Sequence, residues 1–401
     1  MTIPAGEAKP NDSSILHAAI GLTPSLRDSA EDIENGRRLP RSIVQGVKDA
    51  GVFGMAMPRA WGGPELDPLT QYRVLEALAM ADGSVGWCAM INCDGGYITA
   101  FLEDEVGRTM YRDLQAPTAA AASPTGQALQ VPGGYQVSGR FPFASGCQHC
   151  DWVWVGCLVI ADGQQVKDAN GVPETRQCIL PLSQCEVLDT WYTTGLRGTG
   201  SNDLSVKDIY VPAERTFSFQ DPNLIKRSGP LYAFPFMFIT KSSAVALGIA
   251  RRALDYLIET ASSKTARPYT TGDRLEPAKK MRDDVFIQDA VGRADTMLTA
   301  ARAHVFEVMG DLWATLVACE EPSPTQIARV TTAHAYVVGT CVEIVQLVYK
   351  AAGGTAVYQK GPLDRCLRDV LSMNQHVIGT IRTYEMAGRL LLGLEPLRWL
   401  F

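Results

Sequence analysis

The sequence predicts an α+β chain in three consecutive parts: an amino-terminal helical domain over residues 1–117, a central β domain over 118–235 and a carboxy-terminal four-helix bundle over 236–401. Two observations carry this reading. The hydrophobic period is helical at both ends and changes to two in the middle. The punctuation changes with it, from helix caps and single glycine stops to clusters of Gly, Asn, Asp and Pro between short runs. At 401 residues, 46% apolar and 20% charged, the chain is long enough for more than one core and has the composition of a folded protein.

In the first part, "LPRSIVQGVKDAG" places Pro40 near a helix start, Ile43, Val44 and Val47 on one face, and Gly51 at the stop. "DPLTQYRVLEALAMADG" repeats the pattern, with Asp67 as N-cap, Pro68 at the first helical position, Leu69, Tyr72, Leu75 and Leu78 as a stripe, and Gly83 past the end. The middle part contains "GGYQVSGRFPF", "DWVWVGCLVI", "RQCILPL" and "LSVKDIYVP", each with strand alternation or a short apolar run. From residue 236 the pattern is again helical in long runs, including "QIARVTTAHAYVVGTCVEIVQLVYKAAGG", where Gly353 or Gly354 supplies the stop.

The net charge is −6, with Lys and Arg scattered, so no basic stripe suits nucleic acid. The amino terminus lacks the basic and apolar regions of a signal peptide, and no apolar run is expected to cross a bilayer, which predicts a cytoplasmic protein with no membrane partner. The ten cysteines are too sparse for a disulfide scaffold. Cys147 and Cys150 in "FASGCQHCDW" have metal or redox spacing, but no second Cys or His pair accompanies them, and the segment runs into a strand rather than a helix. They are read as buried or loop thiols with no metal. No Gly-x-Gly-x-x-Gly follows a strand, so the chain carries no nicotinamide fingerprint.

Four stretches in order, "GVFGMAMPRAWGG", "ADGSVGWCAM", "TGLRGTGSNDLSVKDIYVPAER" and "AAGGTAVYQKGPLDRCLRD", together with the helix, β, helix order, resemble the acyl-CoA dehydrogenase fold over essentially the whole chain. Dehydrogenases of this fold use a glutamate base. Here "MNQHV" puts Gln375 and His376 where the base would lie beyond Arg368 and Asp369, and no acidic residue occurs from Leu224 to Leu254, the second place where it occurs in the family. Glu385 lies about two turns too far on and reads as a solvated helix charge. A histidine there, with "ASGCQHCDW" and "AGRLLLGLEP", is similar to the flavin-dependent monooxygenases of this fold, the oxygenase components of two-component systems.

That resemblance implies reduced FAD or FMN with molecular oxygen as co-substrate, a flavin C4a-hydroperoxide as oxygen donor, an aromatic substrate of phenol, naphthol or indole type, and a separate NAD(P)H-dependent flavin reductase. It implies catalytic roles for His376 and Ser145, the serine facing the flavin and the histidine the substrate. Cofactor contacts fall on Phe143, Ser145, Trp191, Ser123, Thr125, Gly353 and Gly354, and on Arg267 reaching a neighbouring subunit's flavin within a homo-oligomer, a tetramer for preference. Trp87, Asn92 and Tyr97 are candidates for the substrate, and at helical spacing equally for packing. Competing readings are an acyl-CoA dehydrogenase with a displaced base, an N-oxygenating amino-sugar oxidase, and a flavin-free structural relative.

Overall fold

The computed structural model describes residues 12–221, 223–265, 270–271, 274–275, 280–376 and 381–394. The helices before the sheet are α1 (Asp12–Gly21), α2 (Thr23–Asp28), α3 (Ala30–Gly36), α4 (Arg41–Asp49), α5 (Pro68–Ala81), α6 (Gly83–Asn92), α7 (Gly95–Ile98) and α8 (Asp104–Met110). Pro40 caps α4, and Asp67 caps α5 by accepting from Leu69 N and Thr70 N. Gly83 does not follow a helix end as a left-handed stop. Asp82 is extended and accepts from Ser84 N and Val85 N, so it closes α5 and caps α6 at once. Helix α6 is almost entirely buried, which makes it the central post of the molecule.

The middle part is one twisted sheet of β1 (Thr118–Val131), β2 (Gly134–Ala144), β3 (Trp152–Ala161), β4 (Gln164–Gln165), β5 (Thr175–Pro181), β6 (Glu186–Leu188), β7 (Asn202–Pro212) and β8 (Thr216–Phe217). Its order is β6-β7-β2-β1-β3-β5-β8, with β4 added to β3. Only β1 and β3 run parallel. One face packs on itself through Val137, Phe141, Val153, Val155, Cys178 and Leu180. The other presents Trp154 and Ile179, which join the core formed by the two helical parts.

Three long helices, α9 (Ser242–Ser263), α10 (Val285–Val317) and α11 (Pro324–Ala352), pack on one another, and a short antiparallel pair, Thr270–Thr271 with Arg274–Leu275, lies between α9 and α10. The expected fourth helix is two, α12 (Pro362–Met373) and α13 (Ile381–Leu391). The bundle is therefore not four uninterrupted helices, and the chain turns at Asn374–His376. Gly353 ends α11 at φ 67. Contrary to the sequence expectation, α11 is long and apolar enough to span a bilayer; its apolar positions pack against α9, α10, α12 and α13.

Candidate active site

A cavity of about 1440 Å³ opens where α6, the sheet and the end of α12 meet. Its wall includes Asp94 and six of the residues selected from the sequence, Trp87, Ser123, Phe143, Ser145, Trp191 and His376. Drug-sized ligands fill roughly 300–1,000 Å³, so the space exceeds one such ligand.

Ser145 reaches the cavity because the chain leaves β2 sharply. Phe143 takes φ 65 and is 67% exposed, with its ring edge-on to Trp191 at 6.2 Å. Gly146 follows at φ 74, and a Cβ there would lie 2.3 Å from Asn92 Oδ1, so the turn needs glycine. Asn92 fastens the turn from behind: its Nδ2 donates to Ser145 O and Thr118 O, and its Oδ1 lies 2.9 Å from His149 Nε2.

The Ser145 hydroxyl belongs to a chain of four hydrogen bonds whose direction is fixed at both ends. Trp87 Nε1, which can only donate, gives to Ser145 Oγ at 3.0 Å. Thr199 Oγ1 gives its single proton to the carbonyl of Leu196, which can only accept, at 2.8 Å. The two links between them, Ser145 to Ser201 and Ser201 to Thr199, are each 2.7 Å. Each link requires one proton, so Ser201 donates to Thr199 and Ser145 donates to Ser201. Ser145, 5% exposed, is left with one lone pair for a cavity ligand and no proton.

The end of that chain is built by "TGLRGTGS". Leu196 is left-handed at φ 50, and its N–H donates to Asp369 Oδ1 at 2.6 Å. Its carbonyl also accepts from Trp191 Nε1 at 3.0 Å. A Cβ on Gly195 would lie 2.0 Å from Arg368 O, so only glycine lets the loop close on α12. Arg368 and Arg365 in turn bind Glu34, tying α12 to α3. Burial pushes the Asp369 carboxyl up to about 7, with the nearby Asp82 charge adding to the effect.

His376 sits at the turn after α12, its ring edge-on to Trp87 at 5.3 Å. Its Nδ1 is buried and has no hydrogen-bond partner among the described residues. Burial pushes its pKa down to about 4, so the imidazole is neutral at pH 7. It can donate or accept one hydrogen bond, but it is a weak base.

Other selected residues lie elsewhere. Asn92 is behind the Ser145 turn rather than on the cavity wall, and Tyr97 is buried with its hydroxyl on Gln71 Oε1. Thr125 gives its hydroxyl to Arg140 O outside the cavity. Gly353 and Gly354 lie in open space at the end of α11. Arg267 falls outside the described residues. Cys147 and Cys150 are buried free thiols; burial pushes the Cys147 thiol up to about 12 and holds Cys150 well above the ordinary thiol range. Among the described residues no group of three His, Cys, Asp or Glu is placed to hold a metal. Glu385 is exposed on α13.

The acids on the cavity wall are engaged. Asp94 pairs with the buried Lys241 at 2.6 Å, and its charge holds the ammonium well above the ordinary lysine range. Glu174 pairs with Arg176, and Asp168 and Asp221 accept from backbone N–H groups of their own turns. None stands beside Ser145 as a spare base. Sequence reading missed Ser201 and Thr199, although both lie in a stretch it had singled out, and it missed Trp154 and Gln177, which read only as strand residues.

The fold and this cavity define an enzyme of the acyl-CoA dehydrogenase architecture. The acyl-CoA dehydrogenase N-terminal domain matches residues 22–114 and its C-terminal domain residues 240–380. Within that architecture the chain belongs to the flavin-dependent monooxygenases: the oxygenase subunit HsaA of Mycobacterium tuberculosis is 31% identical over 96% of each chain. Indole-3-acetate monooxygenase of Pseudomonas putida is 31% identical over 94% of this chain and 93% of its own. The crystal structure of the M. tuberculosis HsaA monooxygenase superposes with a TM-score of 0.87 at 29% identity, covering 96% of this chain and 98% of that one.

The residues present fit a flavin. Phe143 and Trp191 offer an aromatic corner for the isoalloxazine, Ser145 offers a lone pair to a ring N–H, and Ser123 lies on the same wall.

Proposed function

We propose that the chain is the oxygenase component of a two-component monooxygenase that hydroxylates an aromatic substrate with reduced flavin and molecular oxygen. The observation that carries this reading is the pairing, across one cavity, of a proton-committed Ser145 with a neutral His376 in place of a carboxylate base. Bound reduced flavin would supply the activation of oxygen. Phe143, Trp191 and Ser145 orient the ring, and the Trp154, Phe219, Phe236 and Phe238 wall excludes water from the substrate side. His376 accepts a hydrogen bond from a phenol O–H or indole N–H, or donates one to a developing oxyanion, and so aligns the ring for attack.

A separate flavin reductase is the inferred electron source. Purified alone, the chain is expected to oxidise NADH and NADPH negligibly, and to hydroxylate members of a phenol, naphthol and indole panel only when a reductase or chemically reduced flavin is added. Rapid NAD(P)H oxidation by the chain alone, or no product from the complete system across the panel, would contradict the reading.

We also infer assembly into a homo-oligomer, with a tetramer expected. Val285, Phe286, Val357, Tyr358, Leu391 and Leu392 are large apolar side chains exposed in the carboxy-terminal part, and contact with further copies would take such side chains out of water. Light scattering that gives only a monomer at micromolar concentration would contradict this.

A further inference from the structure

On the substrate side of the cavity two buried polar atoms have no partner among the described residues: Trp154 Nε1, a donor, and Gln177 Oε1, an acceptor. The residues are 1% and 4% exposed. Native interiors leave few such atoms unpaired, because each keeps its desolvation cost until something satisfies it.

The sheet places them together. In the β3 to β5 ladder Trp154 pairs with Ile179 and Gly156 with Gln177. Paired residues share a face, and so do residues two apart, so Trp154 and Gln177 are diagonal neighbours on the face that meets the helical core. Gly156 lies between them without a side chain; a Cβ there would come 2.1 Å from Ala122 O. Gln177 Nε2 donates to that same carbonyl at 3.4 Å, which turns the amide so that Oε1 is the free end. Around them Trp154 meets Phe217, Phe219 and Phe238 with centroids 5.9–6.3 Å away.

We propose that Trp154 and Gln177 form a polar subsite for a hydroxyl group on the aromatic substrate, distinct from the group that meets His376. A hydroxyl accepts from Trp154 Nε1 while donating to Gln177 Oε1, which satisfies both orphans at once. A carboxylate would set its lone pairs against Gln177 Oε1, and an ammonium has nothing to offer Trp154 Nε1. The substrate class is therefore a ring system with two polar positions, the remote one a neutral hydroxyl. This rests on the reading of the cavity as an aromatic substrate site.

The test is calorimetric binding of 1-naphthol and of the 1,5-, 1,6-, 1,7- and 2,7-dihydroxynaphthalenes to the full chain, flavin-free and again under anaerobic saturation with reduced FMN. At least one diol is expected to bind about tenfold tighter than 1-naphthol, the worth of one to two hydrogen bonds. Gln177→Leu and Trp154→Phe are each expected to remove most of that gain, read as the ratio of diol to 1-naphthol affinity within the same variant. The second variant keeps the test sound should one of them misfold. No diol gaining over 1-naphthol, a gain that survives both substitutions, or no binding by any of the naphthols would overturn the proposal. Binding needs no turnover, so intact discrimination with no reductase-dependent product would instead count against the oxygenase reading alone.

Discussion

The two walls of the cavity account for their hydrogen bonds differently. On the Ser145 wall the hydroxyl protons of Ser145, Ser201 and Thr199 are assigned, in a run from Trp87 to the Leu196 carbonyl. On the Trp154 wall a donor and an acceptor, each deeply buried, remain open. The first wall is complete before any ligand arrives, so it holds its shape and offers a fixed lone pair. The second is completed only by a ligand and so selects what enters. A preorganised wall suits a cofactor that must be held in one pose, and an open one suits recognition of substrate.

The largest expected effect that would break this comparison is at His376. General acid or base assistance is worth about 10²- to 10⁴-fold, so His376→Ala is expected to lower reductase-coupled hydroxylation by that order while reduced-flavin binding stays near wild type. Full hydroxylation in a folded His376→Ala protein would remove the histidine from the account.

Smaller, but sharper in sign, is the pH behaviour of the same residue. Its native pKa near 4 lies below the unfolded value of about 6.5, so the unfolded chain takes the proton first. Its contribution to stability is whole above about pH 6.5 and is lost as pH falls toward 4. In NMR of the ¹³C-histidine-labelled chain, the resonance absent from the His376→Gln spectrum is expected to titrate near pH 4. A midpoint near 6.5 would show the imidazole in contact with water. The smallest effect is at Cys147 and Cys150, where the double change to Ser is expected to leave flavin binding and turnover within about twofold, since neither thiol lies on either wall. Abolished activity in the folded double variant would reopen a role for the pair.

The period change, the Asp67 cap and the Gly51 stop were legible in the sequence because local spacing and capping determine them. Strand β1 was less so: "TAAAASPTGQALQV" is rich in alanine, a helix former, and only its place between β2 and β3, with register shifts at Pro124 and Gly126, makes it a strand. Ser145, Trp87, Trp191 and His376 were legible as site residues through the resemblance. The directed hydroxyl chain was not, because Ser145 and Ser201 are 56 residues apart and meet only when β2 and β7 pair. Trp154 and Gln177 were hidden for the opposite reason: each fits its strand, and only the β3 to β5 register, which sets the two diagonally on one face, brings them together.

The central claim is that Ser145 presents a lone pair and no proton. The reduced isoalloxazine carries a ring N–H that the oxidised ring lacks, so the site should prefer reduced flavin. Anaerobic titration of the full chain with reduced FMN, set beside aerobic titration with oxidised FMN, measures this directly. Wild type is expected to favour reduced FMN by at least about tenfold, and Ser201→Ala, which frees the Ser145 proton to point into the cavity, should narrow that ratio by about tenfold while Ser201→Thr keeps it. Equal affinity for the two forms in wild type, or an unchanged ratio in Ser201→Ala, would contradict it.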